Sequence, residues 1–106
     1  MLARPEQRNA QDKAMLYELD SAFAQACADR TVKVIILAAE GPDFSSGHDL
    51  RDATSPADFP ARGLRGDLDA PGSEGWFNVE LEIYRELCLR WRELPKPTIA
   101  QVQGRV

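Results

Sequence analysis

At 106 residues the chain is long enough for one domain and too short for two; a domain of that size buries roughly 65% of its unfolded surface. With 43% hydrophobic and 28% charged residues, its composition is globular and excludes wholesale disorder. A formal net charge of -4 gives no general electrostatic case for a nucleic acid or an acidic membrane as partner, and no stretch approaches a membrane-spanning length.

Met1 to Glu6 contain no apolar core of signal-peptide length, so a cytoplasmic location is expected. Met15, Leu16, Leu19, Ala22, Phe23 and Ala26 follow at three- and four-residue spacings, which predicts one helix over Asn9 to Ala28 with a single apolar stripe. Either Asn9 or Asp12 can cap its start. Val32 to Ala38 is almost continuously apolar and β-branched, the pattern of a parallel strand covered on both faces. Glu40-Gly41-Pro42-Asp43 then turns the chain, and Phe44-Ser45-Ser46-Gly47-His48-Asp49-Leu50 follows at once. In open α/β sheets, ligands gather just beyond the carboxyl ends of such strands, which makes this loop the first candidate site.

From Arg51 to Gly75 the sequence is broken by Pro56, Pro60, Gly63, Gly66, Pro71, Gly72 and Gly75, which predicts a long, mobile loop. Helical spacing resumes through Trp76, Val79, Ile83, Leu87, Cys88 and Trp91 and ends at Pro95 and Pro97. Thr98 to Val102 reads as a second short strand, so strand, helix and strand form a right-handed βαβ crossover. Two strands alone leave open edges, and the chain is expected to be a piece of a larger fold or to need partners. Cys27 and Cys88 lie far apart inside helical patterns and form neither a CxxC pair nor a metal knuckle; buried free thiols are expected, and no metal site.

Three segments, in this order, resemble the enoyl-CoA hydratase/isomerase-like proteins of the crotonase superfamily. They are Arg4-Pro5-Glu6-Gln7-Arg8-Asn9-Ala10, Val34-Ile35-Ile36-Leu37 running into Phe44 to Leu50, and Leu94-Pro95-Lys96-Pro97-Thr98-Ile99-Ala100-Gln101-Val102-Gln103-Gly104. The resemblance implies an α/β fold in which residues 1–106 form an incomplete amino-proximal domain: part of the crotonase ββα superhelix, with parallel strands and crossover helices. It implies an acyl-CoA thioester as substrate, with coenzyme A entering as part of the substrate and no separate cofactor. It further implies a homo-oligomer, a trimer or dimer of trimers. The reaction it implies is syn addition of water across a 2,3-trans-enoyl-CoA, with two backbone amides stabilising the thioester oxyanion. The first would be the amide of His48. No residue here matches the second amide or the two glutamates of the hydratases, so the chain is expected to be truncated and weak or inactive alone. The alternative is a noncatalytic CoA-binding or oligomer-interaction remnant.

By the same resemblance Gln7, Arg8 and Ala10 lie against the adenine and phosphate end of coenzyme A, while Ser46, Gly47, His48 and Asp49 shape the loop around the thioester. Arg8 has a guanidinium to offer a phosphate and is equally a solvated surface arginine. Helix capping is the simplest role for Asn9. His48 acts through its amide, with the ring as pocket wall; a general-base role is open to an imidazole, whereas His48 and Asp49 supply too few ligands for a metal. Asp49 either accepts hydrogen bonds that hold the loop or simply favours a turn. Ser45 and Ser46 lack the G-x-S-x-G elbow of a nucleophile and are expected to pack the loop. Trp76, Tyr84 and Trp91, at helical spacing, are expected in the core or at an interface rather than against the acyl chain.

Overall fold

The computed structural model describes residues 1–59 and 67–106; the expected loop breakers Pro60, Gly63 and Gly66 lie outside that range. Asp12, not Asn9, opens the first helix. Its carboxylate accepts the Met15 N–H at 2.8 Å, satisfying one of the donors that a helix start leaves without a partner, and α1 runs Lys13–Ala28. Met15, Leu16 and Phe23 of the expected stripe are buried, Leu19 and Ala26 are partly buried and Ala22 is exposed, while Tyr17, outside the stripe, is buried as well.

The first strand, β1, is shorter than its apolar run, Ile35–Leu37, and pairs in parallel with β2, Thr98–Ala100, with Ile36 opposite Ile99. Backbone N–H and C=O groups of one strand residue point to the same edge and alternate from residue to residue. Ile35 N–H and Leu37 C=O bond the β2 side, so the Ala38 C=O and Glu40 N–H face the opposite edge, where both bond Leu2 at 2.8 and 2.9 Å. The expected cover on both faces is not supplied among the described residues: Ile36 and Ile99 are 58% and 54% exposed.

Between the strands, one continuous helical path runs from Ser73 to Arg92. It comprises α2 (Ser73–Glu80), a π-helical segment (Leu81–Glu86) and α3 (Leu87–Arg92). Helix therefore begins three residues before the expected Trp76, because Gly75 belongs inside it: a Cβ there would sit 2.0 Å from the Ala70 carbonyl oxygen, so only glycine lets the helix pass this close to the preceding turn. Val79, Ile83 and Leu87 on this path meet Leu16 and Tyr17 of α1 in the core, flanked by Phe59, Leu68, Tyr84 and Trp91. Two polar ties fix the helices to each other and to the strand. Asp20 of α1 accepts from the Arg90 guanidinium at 3.0 Å and the Trp91 indole at 2.9 Å, and Lys96 Nζ, just before β2, caps the end of α1 by donating to the Ala26 and Asp29 carbonyls at 2.6 Å each. Both cysteines are free, as expected, yet Cys27 is only half-buried, and Cys88 is exposed because the core-facing side of its helical path is taken by Ile83 and Leu87. No helix among the described residues is long and apolar enough to cross a membrane.

Asn9 is a buried cross-link rather than a cap. It is fully buried, its Nδ2 donates to the Glu40 and Asp43 carbonyls at 2.8 and 2.9 Å, and its Oδ1 accepts the Arg4 N–H at 2.9 Å. Its φ of 52° lies in the left-handed region, which asparagine tolerates better than most side chains. Asn9→Ala removes all three bonds and leaves buried backbone groups without partners, so it is expected to cost at least about 2 kcal/mol in urea unfolding; a change under about 0.5 kcal/mol would contradict this role.

Candidate functional site

Two segments far apart in sequence run side by side beyond the carboxyl end of β1. Ser46 N–H donates to the Arg8 carbonyl at 2.9 Å, Ser45 Oγ to the Asn9 carbonyl at 2.9 Å, Gln11 N–H to the Gly47 carbonyl at 2.8 Å, and Asp49 N–H to the Gln11 carbonyl at 2.9 Å. Every residue expected at the site, Gln7, Arg8, Ala10, Ser46, Gly47, His48 and Asp49, therefore lies in or beside this seam. The short 3-10 turn Pro5–Gln7 and the left-handed Arg8 and Asn9 bend the first segment onto the second. Arg8 and Gln7 remain exposed, whereas Ala10 is buried.

The bonding pattern sets the direction of the His48 amide. Gly47 C=O and Asp49 N–H both face Gln11, so the N–H of the residue between them points the other way. Among the described residues nothing accepts a hydrogen bond from it. Gly47 permits this through a φ of 85°; a Cβ at that position would meet nothing within 4 Å, so glycine is required by backbone conformation and not by crowding. Ser45 is buried and braces the turn from inside, accepting the Gly47 N–H at 3.1 Å and the Gln11 amide at 3.0 Å, which is the packing role expected of it. Asp49 fills both of its expected roles. One carboxylate oxygen accepts the Arg51 N–H at 3.1 Å in a local turn, and the other accepts from Arg4 at 3.1 Å.

His48 lines a cavity of about 370 Å³ that also receives Leu68, Trp76, Val79 and Ile83 on an apolar side and Lys13, Asp52 and Glu80 on a polar one. Such a mixture of apolar wall and a few fixed polar groups is what small-molecule pockets present. Trp76, exposed at 65%, thus faces the cavity, while Tyr84 and Trp91 pack on the core. The His48 ring rests on Tyr84, with centroids 4.1 Å apart and planes tilted by 44°. Tyr84 sits in the π-helical segment, a local widening often found at functional sites. Its hydroxyl is buried without a hydrogen-bond partner among the described residues. Burial, reinforced by the negative charges of Glu80, Asp52, Asp12 and Asp49, pushes the phenol far above its ordinary pKa, so it stays protonated.

Lys13, Asp52, Glu80 and Tyr84 were not among the residues expected at the site. Lys13 Nζ and N–H donate to Asp52 Oδ2 at 3.0 and 2.9 Å, joining the start of α1 to the segment after the His48 loop. Burial opposes ionisation of Asp52, but the bonds from the Thr54 hydroxyl, from the Lys13 and Thr54 amides and from the Lys13 ammonium together outweigh it and hold the carboxyl well below the usual carboxylate range. Asp52 precedes Thr54 by two residues, a local turn signal visible in the sequence, but its pairing with Lys13 depends on tertiary structure.

A seam of two loops at the end of a parallel strand, with the amide of a pocket-lining residue left without a partner among the described residues, agrees with the resemblance carried by the three sequence segments, and the comparisons settle the family. The chain belongs to the enoyl-CoA hydratase/isomerase family, whose sequence profile matches residues 1–106. It is similar to the human mitochondrial enoyl-CoA hydratase domain-containing protein 3, at 48% identity over 98% of this chain and 29% of that protein. It is also similar to the mouse mitochondrial delta(3,5)-delta(2,4)-dienoyl-CoA isomerase, at 31% identity over 97% of this chain and 30% of that one. A crystal structure of an enoyl-CoA hydratase/isomerase from Xanthobacter autotrophicus Py2 superposes with a TM-score of 0.71 at 38% identity, covering 95% of this chain and 33% of that one. The architecture is accordingly part of the crotonase fold, and the chain spans about a third of the length of the relatives it matches.

The depressed Asp52 carboxyl makes a sign-specific prediction. A carboxylate whose folded pKa lies below its unfolded value of about 3.9 contributes stability that is present above that value and lost as pH falls through the folded one. Wild type should therefore be more stable than Asp52→Asn at pH 7, and the difference should shrink steadily below about pH 4 in urea unfolding series. A difference independent of pH, or one that grows in acid, would contradict the assignment.

Proposed function

We propose that this chain carries part of an acyl-CoA site in which the His48 amide donates to the thioester carbonyl oxygen. One observation carries the reading: the His48 N–H is turned away from the seam, has no partner among the described residues, and belongs to a residue that lines the cavity. Water adding to C3 of an enoyl thioester moves electron density onto the thioester oxygen before a proton is delivered to C2. A fixed backbone dipole at that oxygen stabilises the developing charge more than the ground state, and loss of one such donor costs roughly 2.7–4 kcal/mol in barrier. Isomerisation of a dienoyl thioester develops the same charge, so the amide alone does not choose between hydration and isomerisation.

Gln7, Arg8 and Ala10 fall within or beside the seam and are proposed to border the coenzyme end of the ligand, with the exposed Arg8 guanidinium open to a phosphate. Ser46, Gly47 and Asp49 hold the thioester end. Assembly as a homo-oligomer belongs to the same reading and is supported by the exposed apolar pair Ile36 and Ile99 on the sheet. A catalytically inert acyl-CoA binder uses the same amide, and turnover of crotonyl-CoA separates it from an enzyme.

Isothermal titration of the purified chain with butyryl-CoA is expected to show saturable binding. Gly47→Val should abolish it with little change in far-UV helix signal, because a β-branched side chain is strained at a φ of 85° and the amide of the next residue is displaced. No saturable binding to a folded wild-type chain would overturn the site, and full affinity in Gly47→Val would remove the loop from it.

A further inference from the structure

Arg4 stands outside the cavity, yet its side chain reaches three parts of the seam. Nη1 donates to the Ala10 carbonyl at 2.7 Å and to Asp49 Oδ2 at 3.1 Å, and lies in ion-pair contact with Asp12 Oδ2 at 2.9 Å. The two carboxylates do not depend on it equally. Asp12 caps α1, so the positive end of the helix and the Met15 N–H already favour its charge. Asp49 follows His48 directly and has a side chain only 14% exposed; among the described residues Arg4 is the one cation in ion-pair contact with it.

A half-buried carboxylate beside an amide that must meet an anionic oxygen is a problem of like charges, since each destabilises the other in a region poorly screened by water. We propose that Arg4 is a positioning residue for the acyl-CoA site: its guanidinium holds Asp49, and through it the His48 amide, while neutralising the Asp49 charge that would oppose an oxyanion there. This rests on the reading that the His48 amide faces a thioester oxygen. The geometry assigns the two functions to separate oxygens of Asp49. Oδ1 closes the local turn with the Arg51 N–H, and Oδ2 faces Arg4, so the turn can form without Arg4 but its charge is then left unpaired.

The test compares wild type, Arg4→Met, Asp49→Asn and the double variant by residue-resolved amide hydrogen exchange and by titration with butyryl-CoA. Arg4→Met should speed exchange of the Gln11 and Asp49 N–H groups, the two seam donors nearest His48, by about tenfold or more, the scale of a lost charge-assisted hydrogen bond, while Leu16 and Ile83 in the core stay within about twofold. Affinity for butyryl-CoA should fall by about tenfold in Arg4→Met and return to within about threefold in Arg4→Met/Asp49→Asn, because removing the unpaired charge relieves the fault. A purely structural arginine would show no such rescue. Unchanged exchange at Gln11 and Asp49, or a double variant as impaired as Arg4→Met, overturns the role of Arg4. Absence of butyryl-CoA binding to wild type overturns the site reading instead, and the exchange data still decide whether Arg4 holds the loop. Should Arg4→Met not fold, Arg4→Gln with and without Asp49→Asn makes the same comparison, since glutamine keeps a side-chain N–H donor but removes the charge that Asp49 faces.

Discussion

The candidate site depends on Arg8 to Gln11 being laid alongside Ser45 to Asp49, and the bonds that do this are made mostly by backbone. Four hydrogen bonds of 2.8–2.9 Å join the segments, and buried Asn9 fastens the first of them to the turn after β1. Remove that seam and Gly47 has no reason to hold a positive φ, the His48 amide no fixed direction, and the cavity no polar wall on that side. Everything with chemical potential in the molecule is placed relative to these few residues.

Around the seam the structure arranges charge in alternating pairs. Arg4 lies between Asp12 and Asp49, Lys13 faces Asp52, and Arg105 grips Asp43 through two bonds of 2.8 and 3.1 Å. Asp43 is held below the usual carboxylate range by that Arg105 contact. Four acidic residues thus crowd the loops on either side of His48, each in an ion pair with Arg4, Lys13 or Arg105. The proposed role of the His48 amide, to receive a partly negative oxygen, requires such surroundings, because an uncompensated anion nearby would cancel the benefit of the dipole. The chain's net negative charge is consistent with a site tuned by local pairing and not by a general positive field.

The helices were legible in the sequence because their cause is periodic: Leu16, Phe23, Val79, Ile83 and Leu87 recur on one face whatever the rest of the chain does. The parallel pairing of β1 and β2 was legible too, from the apolar runs and the helix between them. Strand length was not, since a strand ends where its partner ends: Val34 and Val102 are apolar but have no ladder to join. Asn9 shows a different limit. Its residue type suits a helix cap, and only the folded chain reveals that Glu40 and Asp43 offer it carbonyls while Asp12 takes the cap. The loop Phe44 to Leu50 stood out as a candidate site from its place after a strand and from the family resemblance. The ion pairs that support it, Arg4 with Asp49 and Lys13 with Asp52, join residues whose proximity no local pattern encodes.

The central claim is that the His48 amide is a hydrogen-bond donor awaiting an acyl oxygen, and its own proton reports on this most directly. In a 15N–1H spectrum of the chain titrated with butyryl-CoA, the His48 amide proton should move downfield saturably and exchange more slowly with solvent, following the same binding curve as the calorimetric signal. A His48 resonance that stays in place while butyryl-CoA binds would show that the ligand sits elsewhere and contradict the account.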